Sequence, residues 1–375
     1  MSNVRIETAL AIGRAMTDRV LKPDEESPHR PSKRTFWAMG DPQAPFERML
    51  QILDHHGLLG DDGMLRPEVG LVSMGDHFDF GKDIDRAAED GLALLSYLAL
   101  HPPTQVVVLA GNHDLGRVGE LADLDDATFA GAYAEAVGIY KQEGKGEAEA
   151  DFLKRYPWAP TVELVARDFS AFRARQRELV WALLQSGRMQ LAWSYAGKLL
   201  VHAGVTADDL SNLGLSAVEQ RDAEGVARAL NEHLQKTLKH HRGGALHIPS
   251  LHQPGDAACG EGRGIFYHRP ELPPGKHPDQ FEGPLRRRFD PRRIPLGLTQ
   301  VLGHIRDEKC LKLLGDWGGK REPREGVLRS LVTDGHRGSY QLGTRTPASG
   351  EGALWFTDGG MNHSPVPDYQ LLRLD

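Results

Sequence analysis

Five short blocks of this 375-residue chain set Asp, Asn or His directly behind apolar runs. They are Gly40-Asp41-Pro42-Gln43, Gly75-Asp76-His77-Phe78-Asp79, Gly111-Asn112-His113-Asp114, Val201-His202-Ala203-Gly204 and Gly303-His304-Ile305-Arg306. Carboxylate oxygens and imidazole nitrogens are donors that hold Mn, Fe or Zn. An imidazole beside a carboxylate is also a common proton donor in hydrolysis. Glycine precedes the polar residue in all but the His202 block, which lets the chain turn sharply and lets an anion approach backbone N–H groups. A lone Asp or Asn after a strand is an ordinary turn former. The whole series, in order and each behind an apolar run, is a demanding coincidence.

The elements that must position these residues are short. Residues 36–39, 70–74 and 105–110 read as buried strands, and helical patterns fill 45–56 and 83–100 between them. This β-α-β-α-β order predicts an α/β sheet covered by helices, in which ligands gather at the carboxyl ends of the strands. Further strands are expected over 198–201, 299–302, 327–333 and 353–357. A helix is expected over 4–21, followed by a polar arm over 22–33. Residues 116–195 and 207–240 read as helical insertions, with 163–190 the most regular part. Residues 241–293, rich in Gly, Pro, Arg and His, read as an irregular segment on the substrate side. One elaborated domain over 1–375 fits this pattern better than two.

Composition narrows the function. The 45 basic and 52 acidic side chains give a net charge of −7, which argues against nonspecific nucleic-acid binding as the main task, since that needs clustered cations. Cys259 and Cys310 are too few for a disulfide framework or a thiolate zinc site, so reducing cytoplasm is the expected location. The first 21 residues mix charged and apolar side chains, and neither a leader nor a membrane span is expected.

Taken in order, the blocks resemble the calcineurin-like metallophosphoesterase superfamily. Its signature reads D-x-H, GD-x-x-D, GNH-D/E, a lone histidine near glycine, and GH-x-H or, in the phosphoprotein phosphatase branch, a single histidine. The resemblance implies a four-layer α/β sandwich, two sheets packed together with helices outside. It also implies two divalent metals, Mn first with Fe or Zn as alternatives, set ~3.5–4 Å apart. Asp76 would bridge them, Asp41 would bind the first with Gln43 beside it, and Asn112, His202 and His304 would complete the second. His113 matches the residue that protonates the leaving-group oxygen, and Asp79 matches the carboxylate that orients it. The implied activity is hydrolysis of a phosphomonoester by a metal-bridged hydroxide. The substrate would be a phosphoprotein or small phosphoester, with bacterial serine/threonine phosphatase-like members the nearest group.

Several positions depart from the pattern. Gln43 stands where a histidine is usual, and this predicts a weak first site that prefers hard cations such as Mn²⁺ or Mg²⁺. Arg306 replaces the second histidine of GH-x-H, as suits the phosphoprotein phosphatase branch, or touches phosphate itself. Phe80 occupies the place of a phosphate-clamping arginine. Arg269 and Arg263 are the substitutes, Arg269 favoured, because a planar guanidinium holds two phosphate oxygens at once. Asn362 and His363 are candidates for the rim, His77 lines the site, and Arg286-Arg287-Arg288 reads as a solvated face. One rival is a dinucleoside polyphosphate or phosphodiester hydrolase that stacks bases on Phe78, Phe266, Tyr267 or Trp317. The other is a catalytically weak phosphate-binding or scaffolding module, which Gln43 motivates.

Overall fold

A computed structural model describes residues 2–17, 34–272, 281, 283 and 285–375. The arm expected over 22–33 lies outside them. Two mixed sheets form the centre. The first has five strands in the order Leu372–Arg373, Thr35–Met39, Val69–Ser73, Val106–Leu109 and Met189–Gln190. The second has six, in the order Gly338–Leu342, Arg329–Thr333, Gly352–Phe356, Thr299–Leu302, Lys198–Val201 and Ala192–Tyr195.

Alternation along the strands splits their apolar side chains between two layers. Phe36, Ala38, Val72, Val107 and Leu109 of the first sheet meet Leu200, Val301, Val332, Ala353 and Trp355 of the second. The Phe36 ring lies 4.9 Å from those of both Trp193 and Tyr195. The opposite faces, with Leu71, Val106 and Val108 on one sheet and Leu199, Leu302 and Leu354 on the other, join the outer core. There they meet apolar residues of the helices Phe46–His55, Ile84–Leu100 and Ala223–His240. Helix, sheet, sheet and helix make the four-layer α/β sandwich.

Differences from the sequence reading are local. The helical stretch expected over 163–190 is a π-helical turn, Leu164–Asp168, then a break, then the helix Ala174–Gln185. The break has a physical cause, since Ala171 N leaves the helical ladder and donates to Asp79 Oδ1 at 3.2 Å. Residues 189–195 are not helical either. Met189–Gln190 joins the first sheet and Ala192–Tyr195 the second, so the chain passes between sheets at Leu191. The helices Asp126–Tyr140 and Gly146–Arg155 bury a separate small core with Phe129, Phe152, Phe169 and Phe172. No helix among the described residues is long and apolar enough to cross a membrane.

Candidate metal centre and active site

Thr35–Met39, Val69–Ser73 and Val106–Leu109 run parallel, as do Lys198–Val201 and Thr299–Leu302. Their carboxyl ends therefore deliver Asp41, Asp76, Asn112, His202 and His304 to one place. Close approach there requires glycine. A Cβ on Gly111 would lie 2.1 Å from Asp76 Oδ1, and one on Gly303 would lie 2.0 Å from Asp41 Oδ1. Asp76, Asp79 and His304 themselves sit at φ of 59°, 65° and 64°, a region that costs a non-glycine residue about 1–3 kcal/mol and gathers at functional sites.

His202 is the hub. Its Nδ1 donates to Met74 O at 2.8 Å, which leaves Nε2 as the nitrogen facing the cluster. Around Nε2 stand Asn112 Oδ1 at 3.1 Å, His304 Nδ1 at 3.2 Å and Asp76 Oδ2 at 3.5 Å. Burial alone would lower His202, but Asp76 raises its imidazole above the usual histidine range, so a proton sits on Nε2 where a cation could replace it. Asp76, His202 and His304 offer ligand atoms all within 4.8 Å of one another. Asp41 lies alongside, accepting the His304 backbone N–H at 2.8 Å and 3.0 Å. Burial, and then the charges of Asp358 and Asp76, push Asp41 well above the usual carboxylate range. Burial works against ionised Asp76 too, but His202 and His113 hold it below that range. His304 stays neutral, kept well below the usual histidine range by burial and then by Arg269 and His202. Oxygen and imidazole donors around buried carboxylates fit divalent metals. Gln43 donates its amide to Phe78 O at 3.1 Å, so its oxygen is the end left for a cation.

A proton-handling chain stands next to this cluster. His113 N donates to Asp76 Oδ1 at 2.9 Å, and its ring Nδ1 pairs with Asp79 Oδ2 at 2.9 Å. Arg117, fully buried, grips the same carboxylate from behind, with NH2 to Oδ1 at 2.8 Å. Burial alone would raise Asp79, but Arg117 and His113 together hold it low. Burial alone would lower His113, but Asp76 and Asp79 raise it to about 9. Asp114 has another task. It accepts N–H groups of Asp76 at 2.9 Å, His77 at 3.2 Å and Gly111 at 2.8 Å, which ties two of the strand ends together. His77 is fully buried between Asp114 and Ser73 Oγ, both 2.9 Å away, so it does not line the site.

Two cavities open on the cluster. A small one of about 90 Å³ is bounded by Gln43, Asp76, Asn112, His113, Tyr267, Arg269 and His304. A larger one of about 700 Å³ takes in Asp41, Gln43, Phe80, His113, Arg269, His304, Arg306, Asp358, Asn362 and His363. Arg269 lines both, and Arg306 lines the larger. Arg263 lines neither, because it lies in the hairpin strand paired with Gln253. The run 286–288 is not a solvated face. Arg286 pairs with Asp209 at 3.1 Å, Arg287 with Glu261 at 3.3 Å and Arg288 with Glu271 at 3.3 Å, and all three are largely covered. Phe78 and Phe266 are core residues, Trp317 lines neither cavity, and Tyr267 alone of the four stacking candidates reaches the small one. Sequence reasoning missed Arg117 and Asp358. Arg117 carried a signal, one helical turn after His113, whereas Asp358 reaches the site through tertiary packing alone.

The sequence model of the calcineurin-like phosphoesterase family matches residues 34–256, more than half of the chain. No curated protein matches it. With that match and the cluster of strand-end carboxylate, amide and imidazole groups, the chain belongs to the calcineurin-like phosphoesterases, metal-dependent hydrolases of phosphoesters.

Proposed function

We propose that the chain is a phosphomonoesterase of the serine/threonine protein phosphatase type with two divalent metals, Mn²⁺ first. Asp76 would be shared by both, Asp41 and Gln43 would hold the first, and Asn112, His202 and His304 would hold the second. Bound there, the metals would supply a nucleophile at neutral pH and offset charge on the phosphoryl oxygens. The protein supplies the rest. His113, raised to about 9, carries the proton that the departing oxygen needs, and Asp79 with Arg117 fixes the ring that delivers it. Arg269, at the junction of the two cavities, is the guanidinium suited to clamp the phosphate.

The observation that carries this reading is the Arg117–Asp79–His113 chain ending beside the metal cluster. Arg306 in place of a second histidine supports the phosphatase type. The nucleotide rival loses two of its four stacking candidates with the burial of Phe78 and Phe266, and a third, Trp317, lines neither cavity. The test is turnover of p-nitrophenyl phosphate against bis-p-nitrophenyl phosphate by metal-stripped protein with Mn²⁺ restored. We predict preference for the monoester and a loss of ~10²–10⁴ in kcat for His113→Ala. Diester preference, or a His113→Ala variant as fast as the wild type, would sink the assignment.

A further inference from the structure

We propose that Lys309 and Lys312 form a second anion subsite, which selects phosphoesters carrying another phosphate on the same molecule. The proposal rests on the phosphoesterase reading and goes beyond it, to the class of substrate. At about 700 Å³ the larger cavity falls in the range of ~300–1,000 Å³ that holds a drug-sized ligand. A lone phosphate at the metal cluster would leave most of it empty. Its lining carries Lys82, Arg167, Arg269, Arg306, Lys309 and Lys312, and beyond the acids already placed in the active site its carboxylates are Asp168, which pairs with Arg167, and Glu308.

The fold fixes the helix that carries the two lysines, whose side chains are exposed. The chain leaves the metal cluster at His304 and enters the helix Asp307–Leu314 within three residues. Lys309 and Lys312 stand one turn apart on it, at a spacing that puts both side chains on one face. The strand Arg269–Pro270 packs against this helix, with Leu272 N donating to Leu313 O at 3.2 Å. Arg269 thus stands between the small cavity at the cluster and the lysines of the large one.

These lysines differ from the arginines around them. Of the arginines in the same lining, Arg167 pairs with Asp168 at 2.8 Å, Arg269 with Glu261 at 3.8 Å and Arg306 with Glu325 at 3.6 Å. Among the described residues no carboxylate lies within ion-pair distance of Lys309 or Lys312. Partial burial, and then Arg269, Arg288 and Lys312, lower Lys309 against a smaller opposing pull from Glu261. A cluster of like charges lining a cavity is relieved when an anion enters it. With one phosphate at the cluster, a second phosphate on the same molecule is the group that would relieve the lysines.

The test is calorimetric binding of hydrolysis-resistant α,ω-alkane bisphosphonates, three to six carbons long, compared with propylphosphonate on the Mn²⁺-loaded protein. The wild type should bind at least one bisphosphonate about tenfold or more tighter than the monophosphonate, the scale of a hydrogen bond to a charged group. The Lys309→Ala/Lys312→Ala variant should lose about tenfold of that preference. Equal affinities in the wild type, or a preference that survives in the variant, would overturn the subsite. The readout is binding, so it stands apart from the function reading. Absent turnover of p-nitrophenyl phosphate with the preference intact would strike only the assigned activity.

Discussion

Asp41, Asp76 and Asp358 bring three buried carboxylates into mutual reach. Removing any one charge makes the others easier to ionise and a bound cation easier to lose. We therefore predict that Asp358→Asn lowers Asp41 toward the usual carboxylate range and weakens Mn²⁺ binding by about tenfold or more. Calorimetry on metal-stripped protein measures this, and affinity equal to the wild type would show that Asp358 takes no part. The motif residues were legible because strand ends, glycines and ligand types repeat in order. Asp358 was not, because its place depends on Gly40 passing so close that a Cβ there would sit 2.8 Å from Asp358 Cα. Arg263, the second arginine candidate, lies in a hairpin strand paired with Gln253 and lines neither cavity, a placement that also depends on tertiary structure.

The strands and long helices follow from periodicity, and their observed bounds differ from the expected ones mainly at the ends. The helix Ile84–Leu100 is capped at its start by Asp83, which accepts Arg86 N at 3.1 Å. At its end His101 is buried, with Nδ1 toward Tyr97 O at 2.9 Å and Nε2 accepting Leu65 N at 3.2 Å. Burial lowers this histidine to about 4. Its neutral form is the folded form, so its contribution is complete above the unfolded value of about 6.5 and is lost as pH falls from there toward 4. We predict that urea stability drops between pH 6.5 and 4, with His101 contributing up to ~1.4 kcal/mol per pH unit beside the other buried histidines His252 and His268. His101→Gln should show a shallower drop, and parallel slopes in the two proteins would contradict this. What sequence could not reveal at this scale were the two-residue strands and the break at Ala171, each fixed by a partner distant in the chain.

At the scale of the molecule, parallel strands from two sheets end side by side, and the site exists only where both sheets meet. Asp41, Asp76 and Asn112 come from the first sheet, His202 and His304 from the second. The strand order and the crossing at Leu191 bring them together, and neither was readable from local pattern, although the family resemblance implied the layered sandwich. The central claim is that this junction holds two metals of unequal affinity. The direct measurement is titration of metal-stripped protein with Mn²⁺, counting bound ions in the wild type and in Asp76→Asn. The account predicts two ions per chain in the wild type, the weaker at the Asp41–Gln43 end, and loss of both tight binding and the second ion in Asp76→Asn. One ion or none in the wild type, or an Asp76→Asn variant that binds as the wild type does, would contradict it.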